Sequence, residues 1–211
     1  MKRGMTVLCY GDSNTHGYNP QGGGRFPKEI RWSGRLQEML GSEYQVVEEG
    51  CNGRTTMYGN VDEWTNGMLY LRPCLYSHRT VDFLIIMLGT NDLKKKYQAS
   101  AQVIAGGVEA LVKESIAFLE EHQEYVPKVI LVAPPVLDEN MSQSCFADEF
   151  DEESVAKSYL LADEYQRIAM KYHCEFLNAA EFAPVSKADS LHLSEESHAA
   201  FAAMIYQTIQ K

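Results

Sequence analysis

The sequence has no long apolar run, no excess of basic charge and no paired-cysteine motif, and each absence narrows what the chain can be. Lys2-Arg3 precedes only the short stretch Met5–Tyr10, well below a signal-peptide core or a membrane span. A cytoplasmic location without membrane contact is therefore expected. Nineteen Lys and Arg stand against twenty-nine Asp and Glu, a net charge of −10, which disfavours nucleic acid and anionic membrane surfaces as partners. The five cysteines (Cys9, Cys51, Cys74, Cys145, Cys174) are odd in number and form no C-x-x-C pair. Reduced thiols are expected, not a disulfide framework or a zinc site. The Asp-x-His and His-x-His ligand pairs expected of a two-metal site are missing too. Repeats, low-complexity segments and internal domain boundaries are not visible. With 211 residues, 45% apolar and 23% charged, the chain reads as one globular domain over residues 1–211.

What is present is an alternation of strands and helices. Met5–Tyr10 is a buried strand by its apolar run, Tyr44–Val47 a second followed by a turn over Glu48–Thr56, and Lys128–Ala133 and Glu175–Leu177 two more. The strongest lies in Val81–Leu88, whose unbroken apolar run from Phe83 predicts a strand covered on both faces. A helix with Trp32, Leu36, Met39 and Leu40 on one side ends at Gly41. Another, capped by Ser100, runs to about His122 and turns Val103, Val108, Leu111, Val112, Ile116 and Leu119 inward. A single helix after the loop Leu137–Ser154 reaches about Tyr172, and Ser194 opens a last one through Ile209. Between Met57 and Thr80 the chain is irregular apart from a short helix near Leu69–Leu75. The class is α/β: a three-layer α/β/α sandwich with a central parallel sheet. Gly106-Gly107 inside a helix predicts close packing, and the acidic run Asp148–Glu153 a solvated face or a helix start.

In such a sheet, ligands bind at the carboxyl ends of the strands. Four stretches fall there: Gly11-Asp12-Ser13, the turn at Gly53, Gly89-Thr90-Asn91-Asp92, and Asp189-Ser190-Leu191-His192. A serine hydroxyl is a weak nucleophile until a base takes its proton, and His192 is the candidate base for Ser13. Asp189, three residues earlier, can fix the imidazole tautomer and stabilise its charged form. Attack on an ester carbonyl builds negative charge on oxygen. The backbone N–H groups of Ser13 and Gly53 and the Asn91 amide could meet it as an oxyanion hole. Asp12 is expected to hydrogen-bond the turn, Arg54 to make a structural ion pair or an interface, and His78, His122, His173 and His198 to lie at the surface or an interface. One rival is a metal-dependent phosphoesterase with Asp12, Asn91, Asp92 and His192 as ligands, disfavoured by the missing ligand pairs. A non-enzymatic binding module is another, and would leave these reactive residues without use.

These four blocks, in this order, resemble the SGNH (GDSL) hydrolases. Arg31-Trp32-Ser33-Gly34, Val47-Glu48-Glu49-Gly50, Arg54-Thr55-Thr56, Asn66-Gly67-x-x-Tyr70-Leu71 and Ile85–Asp92 are similar to the bacterial arylesterase/acyltransferase (perhydrolase) branch. The likeness runs from Leu8 through the last helix and is weakest between Asn140 and Ser154. It implies a flavodoxin-like sandwich and a cofactor-free serine esterase for small acyl esters, with acyl transfer to alcohols or a carbohydrate O-acetylesterase activity as variants. It also implies homo-oligomers, from dimer to octamer. Trp32, Tyr58, Trp64, Tyr70 and Tyr76 fit such an interface or a ligand groove. Two positions depart from the branch. Asn14 stands where the family name has leucine, and His16 where tryptophan is common; both are expected to form a more polar, substrate-contacting pocket floor.

Overall fold

The computed structural model describes residues 3–59 and 64–211. In chain order it consists of β1 (Met5–Gly11), the single turn α1 (Ser13–His16), α2 (Trp32–Leu40), β2 (Tyr44–Gly50), α3 (Gly67–His78), β3 (Phe83–Met87), α4 (Ala101–His122), β4 (Lys128–Ala133), α5 (Glu152–Ser158), α6 (Leu161–Lys171), β5 (Glu175–Asn178) and α7 (Glu195–Ile209). The five strands are all parallel, in the order β2-β1-β3-β4-β5. The expected α/β/α architecture is the observed one.

The unbroken apolar strands are divided between two cores by the pleat. Leu8 and Tyr10 of β1, Leu84 and Ile86 of β3, and Leu131 and Ala133 of β4 pack with α3, α4 and α6. Val7, Cys9, Ile85, Met87, Ile130 and Val132 point the other way, onto α2 and α7. Each fully buried aliphatic side chain of this kind stabilises the fold by about 1.5–3 kcal/mol. Strand order reverses at β1, which has β2 on one side and β3 on the other. A crevice therefore opens above the carboxyl end of β1. Among the described residues no helix is long and apolar enough to cross a membrane.

Several local expectations change. β2 runs on to Gly50, through residues read as a turn, because its pairing with Cys9–Gly11 outweighs the charge of Glu48 and Glu49. Glu48 is held by Arg25, Arg31 and Ser33, and Glu49 by His78 at 2.7 Å. The helix expected up to Tyr172 is two, α5 and α6, broken at Tyr159-Leu160. Ser158, at the end of α5, turns its hydroxyl to the Leu137 N–H and the Val155 carbonyl. On α4 the buried face passes through Ile104 and Ala105, leaving Val103 56% exposed. The short helix near Leu69–Leu75 is the longer α3, and the part of the expected irregular stretch at 60–63 lies outside the described residues.

Burial corrects two further readings. Trp32 is no interface residue: it is fully buried on Phe201, with ring centroids 4.9 Å apart. His198 is equally buried, and burial, with the charges of Arg35 and Arg31, pushes its imidazole down to about 4. Tyr58 is half-buried and stacks on Tyr97, whereas Trp64 and Tyr76 are exposed.

The Gly106-Gly107 pair divides into one open position and one closed. A Cβ on Gly107 would stand 2.3 Å from Thr56 Oγ1, whereas one on Gly106 would meet nothing within 4 Å. Gly107→Ala is thus expected to destabilise the protein by about 1–3 kcal/mol through overpacking. Gly106→Ala is expected to stabilise it by up to about 1 kcal/mol through helix propensity. Urea denaturation of the two variants checks both signs; equal shifts would contradict the assigned packing.

Candidate active site

The first turn is built by its own polar residues. β1 ends at Gly11, and Asp12 caps α1 by accepting the Asn14 N–H at 2.9 Å. Ser13 is thereby set on the first position of the turn, at the crevice above β1. Asp12 is fully buried; burial pushes its carboxyl up to about 6 against the pull of the Asn14 N–H and the His192 charge.

The fourth block arrives from the far side of the sheet. After β5 the chain crosses the ends of the strands, tied down by the Asp138 N–H on the Ser190 carbonyl and the Ser144 hydroxyl on the Asp189 carbonyl. Ser190 takes a left-handed backbone (φ 63°), which costs a non-glycine residue about 1–3 kcal/mol. That bend lets Asp189 Oδ1 accept the N–H groups of Leu191 and His192 at 3.0 and 2.9 Å. Asp189 Oδ2 is left for His192 Nδ1 at 2.7 Å, and His192 Nε2 lies 2.9 Å from Ser13 Oγ. Burial pushes the Asp189 carboxyl up, but the hydrogen bonds and charge of His192 and the Leu191 N–H outweigh it and hold the group below the usual carboxylate range. A carboxylate, an imidazole and a hydroxyl are thus joined in one line, buried on all three members. Such a line can pass a proton from the hydroxyl to the imidazole and hold the resulting positive charge.

The second and third blocks are pinned to each other. Asp92 takes the Thr56 N–H at 3.0 Å and its hydroxyl at 2.5 Å. Asn91 donates one amide hydrogen to the Arg54 carbonyl at 3.1 Å, leaving its second for the cavity. Gly53 stands between these anchors at φ 78°, a conformation that favours glycine. Among the described residues, neither the Ser13 nor the Gly53 N–H has an intramolecular acceptor. All three residues line one cavity, and donors left without an acceptor are what a developing oxyanion requires.

Ser13, Gly53, Asn91 and His192 line a cavity of about 290 Å³. Its remaining wall comes from Leu191 of the fourth block and from residues that sequence reasoning left out: Tyr18, Asn52, Lys94, Phe146, Glu149 and Phe150. Tyr18 covers the His192 ring at a centroid distance of 4.3 Å, and Lys94 Nζ meets Glu149 Oε2 at 2.5 Å. These residues sit on loops without periodicity. The signals they offered were proximity to motifs (Tyr18 to Gly17, Asn52 to Gly53, Lys94 to Asp92) and, for Glu149 and Phe150, membership of the acidic run, read as a solvated face or a helix start. Asp151 does cap α5, as a helix start requires, while Glu149 faces the cavity. A larger recess of about 440 Å³ opens at the amino ends of β1 and β2, beside Arg3 and Thr80, and contains none of the four blocks.

Asn14 and His16 are not on the cavity wall. Asn14 is buried and bonded to the loop that carries His192. His16 is half-buried against Gly50, and burial, with the Arg25 charge, pushes its imidazole down. Arg54 makes no ion pair among the described residues. It donates to the Gly11 and Glu49 carbonyls and lies between the rings of Tyr10 and Tyr70. Among the described residues, the ligand atoms of Asp12, Asp92 and His192 in the metal rival do not gather within 4.8 Å of one another. Among the described residues, one group gathers metal-ligating atoms within 4.8 Å, Glu49, Cys74 and His78. There the Cys74 thiol is pushed well above its usual range by burial, and His78 is already bonded to Glu49.

The family model for GDSL-like lipases and acylhydrolases matches residues 9–200. No curated protein gives a match. Among solved structures, a carbohydrate acetylesterase from Sinorhizobium meliloti superposes with a TM-score of 0.91 at 34% identity, over 98% of this chain and 98% of that one. The native aryl esterase of M. smegmatis does so with a TM-score of 0.89 at 30% identity, again over 98% of each chain. A lipase/acylhydrolase from Enterococcus faecalis, 19% identical over 98% of this chain and 95% of that one, shares the fold with a TM-score of 0.68.

Proposed function

The chain belongs to the GDSL-like lipase/acylhydrolase family and is a serine ester hydrolase, and from that premise we propose that it cleaves small acyl esters through an acyl-enzyme on Ser13. The observation that carries this reading is the hydrogen-bonded line from Asp189 through His192 to Ser13, which ends in a cavity with three free donors. His192 Nε2 takes the Ser13 proton as Oγ attacks the ester carbonyl. The Ser13 and Gly53 N–H groups and the Asn91 amide meet the oxyanion, and His192 returns the proton to the departing alcohol. Water, activated by the same imidazole, then attacks the acyl-enzyme and releases the acid. No cofactor is required by any of these steps.

A cavity of about 290 Å³ with aromatic walls suits acetyl- to butyryl-sized acyl groups. A series of aryl esters of increasing chain length tests this: kcat/KM should fall steeply beyond butyryl, and palmitoyl esters hydrolysed as readily as acetates would overturn it. The Lys94–Glu149 ion pair and Asn52 in the cavity wall favour a second reading in which the alcohol is a sugar hydroxyl. Acetylated oligosaccharides assayed beside phenyl acetate separate the two. A single domain, a cytoplasmic location, assembly into homo-oligomers and some acyl transfer to alcohols belong to the same proposal. The unpaired cysteines and the exposed Trp64 and Tyr76 support it.

The oxyanion assignment has its own expected result. Asn91→Ala should lower kcat by about 10²–10³-fold with little change in KM, as removal of one oxyanion donor does. An effect confined to KM would move Asn91 into ground-state substrate binding.

A further inference from the structure

Asn14, expected on the pocket floor, is buried away from the cavity wall. The side chain is 1% exposed and absent from the cavity wall, so it does not touch substrate. Its Oδ1 accepts the Leu193 N–H at 2.9 Å, and its Nδ2 donates to the Leu191 carbonyl at the longer distance of 3.5 Å. One amide thus grips the backbone immediately before and immediately after His192. Asn14 is itself held by its neighbours. Its N–H donates to Asp12 Oδ1 at 2.9 Å, and its carbonyl accepts the Trp32 indole N–H at 3.2 Å. The buried His198 in turn accepts the Trp32 backbone N–H through Nδ1 at 3.2 Å.

The other bonds around His192 do a different task. Asp189 orders the loop internally, through Leu191, His192 and the imidazole. Asp138 and Ser144 tie the loop to the segment after β4. Among the described residues, apart from the Ser13–His192 bond itself, the Asn14 amide makes the side-chain hydrogen bonds that join this loop to the serine turn, across 177 and 179 residues of sequence. A displacement of about 1 Å between reacting groups can cost about 10²-fold in rate.

We infer that Asn14 is a positioning residue: it holds the backbone on both sides of His192 so that Nε2 stays opposite Ser13 Oγ. The inference rests on the proposed Ser13–His192 reading. Asn14→Leu, which keeps the bulk and removes both hydrogen bonds, is made in the wild type and in His192→Ala. Hydrolysis of an activated aryl acetate and the rate of phosphonylation are measured per folded molecule. In the wild-type background Asn14→Leu should lower kcat and phosphonylation by about 10–100-fold, with KM within about threefold. In the His192→Ala background, where there is no imidazole to position, it should cost nothing further. If Asn14→Leu does not fold, Asn14→Asp goes through the same cycle; it keeps an acceptor for the Leu193 N–H and should show a smaller loss, again only when His192 is present. Equal losses in both backgrounds, a loss confined to KM, or wild-type rates would overturn the inference. Wild-type activity in His192→Ala alone would instead overturn the reading on which it rests.

Discussion

Ser13→Ala is expected to abolish both phosphonate labelling and ester hydrolysis, with kcat falling by about 10⁴–10⁶-fold, the scale on which serine hydrolases lose activity with their nucleophile. The loss is large because a methyl group cannot form the acyl-enzyme, and because His192 then has no hydroxyl to deprotonate. What remains is the water reaction assisted by the free N–H groups of the turn and by Asn91. The hydroxyl's one hydrogen-bond partner among the described residues is His192 Nε2 at 2.9 Å, so the fold has little reason to change. Circular dichroism should be unaltered and the urea midpoint close to that of the wild type. A mass-mapped phosphonate adduct on any other residue, or retained hydrolysis by a folded Ser13→Ala protein, would remove Ser13 from its role.

Asp189→Asn is expected to lower kcat by about 10⁴-fold, by analogy with the amide substitution in serine proteases. Asp189 Oδ2 accepts from His192 Nδ1, which leaves Nε2 unprotonated and ready to take the Ser13 proton. An asparagine that presents its NH₂ to Nδ1 would reverse that tautomer, putting the proton on the nitrogen that faces the serine. Oδ1 also accepts the Leu191 and His192 N–H groups, so an asparagine keeping those bonds has only its NH₂ left for the ring. Stability should respond to pH as well. Because the folded state holds the Asp189 carboxyl below its ordinary range, its contribution is present above about pH 4 and is lost as the pH falls through the folded value. Asp189→Asn should lack that acid-side contribution. Urea midpoints between pH 3 and pH 7 test this beside the kinetics; wild-type kcat in the variant would point to another carboxylate or to none.

The reach of the sequence differed from element to element for a physical reason. Strand runs and capped helices are local, and Phe83–Leu88 or the Ser100-capped helix declare themselves within a few residues. Phase is less secure than existence: on α4 the inward face was misplaced at Val103 while Ile104 is fully buried. Charge misled at β2, where Glu48 and Glu49 looked like a turn until ladder pairing and the Arg31, Ser33 and His78 contacts were in place. Histidine as a residue type carries no burial signal, and His198 was read at the surface or an interface although it is fully buried against Trp32 and Phe26.

By itself the sequence determined the α/β class, the position of Ser13, Gly53 and Asn91 beyond strand ends, and the three-residue spacing of Asp189 and His192. Those features follow from hydrophobic period, from glycine turns and from a three-residue spacing that brings a carboxylate to its own histidine. The tertiary structure alone decided what surrounds them. Tyr18, Phe146, Phe150, Lys94 and Glu149 become a cavity wall, and the Asn14 amide bonds the backbone of a loop 179 residues distant. The reason is that an aperiodic loop takes its conformation from contacts made across the sheet edge. A side chain's partner at that separation is fixed by the order β2-β1-β3-β4-β5 and by the crossing of the 186–193 loop, neither of which is written in any local pattern of residues.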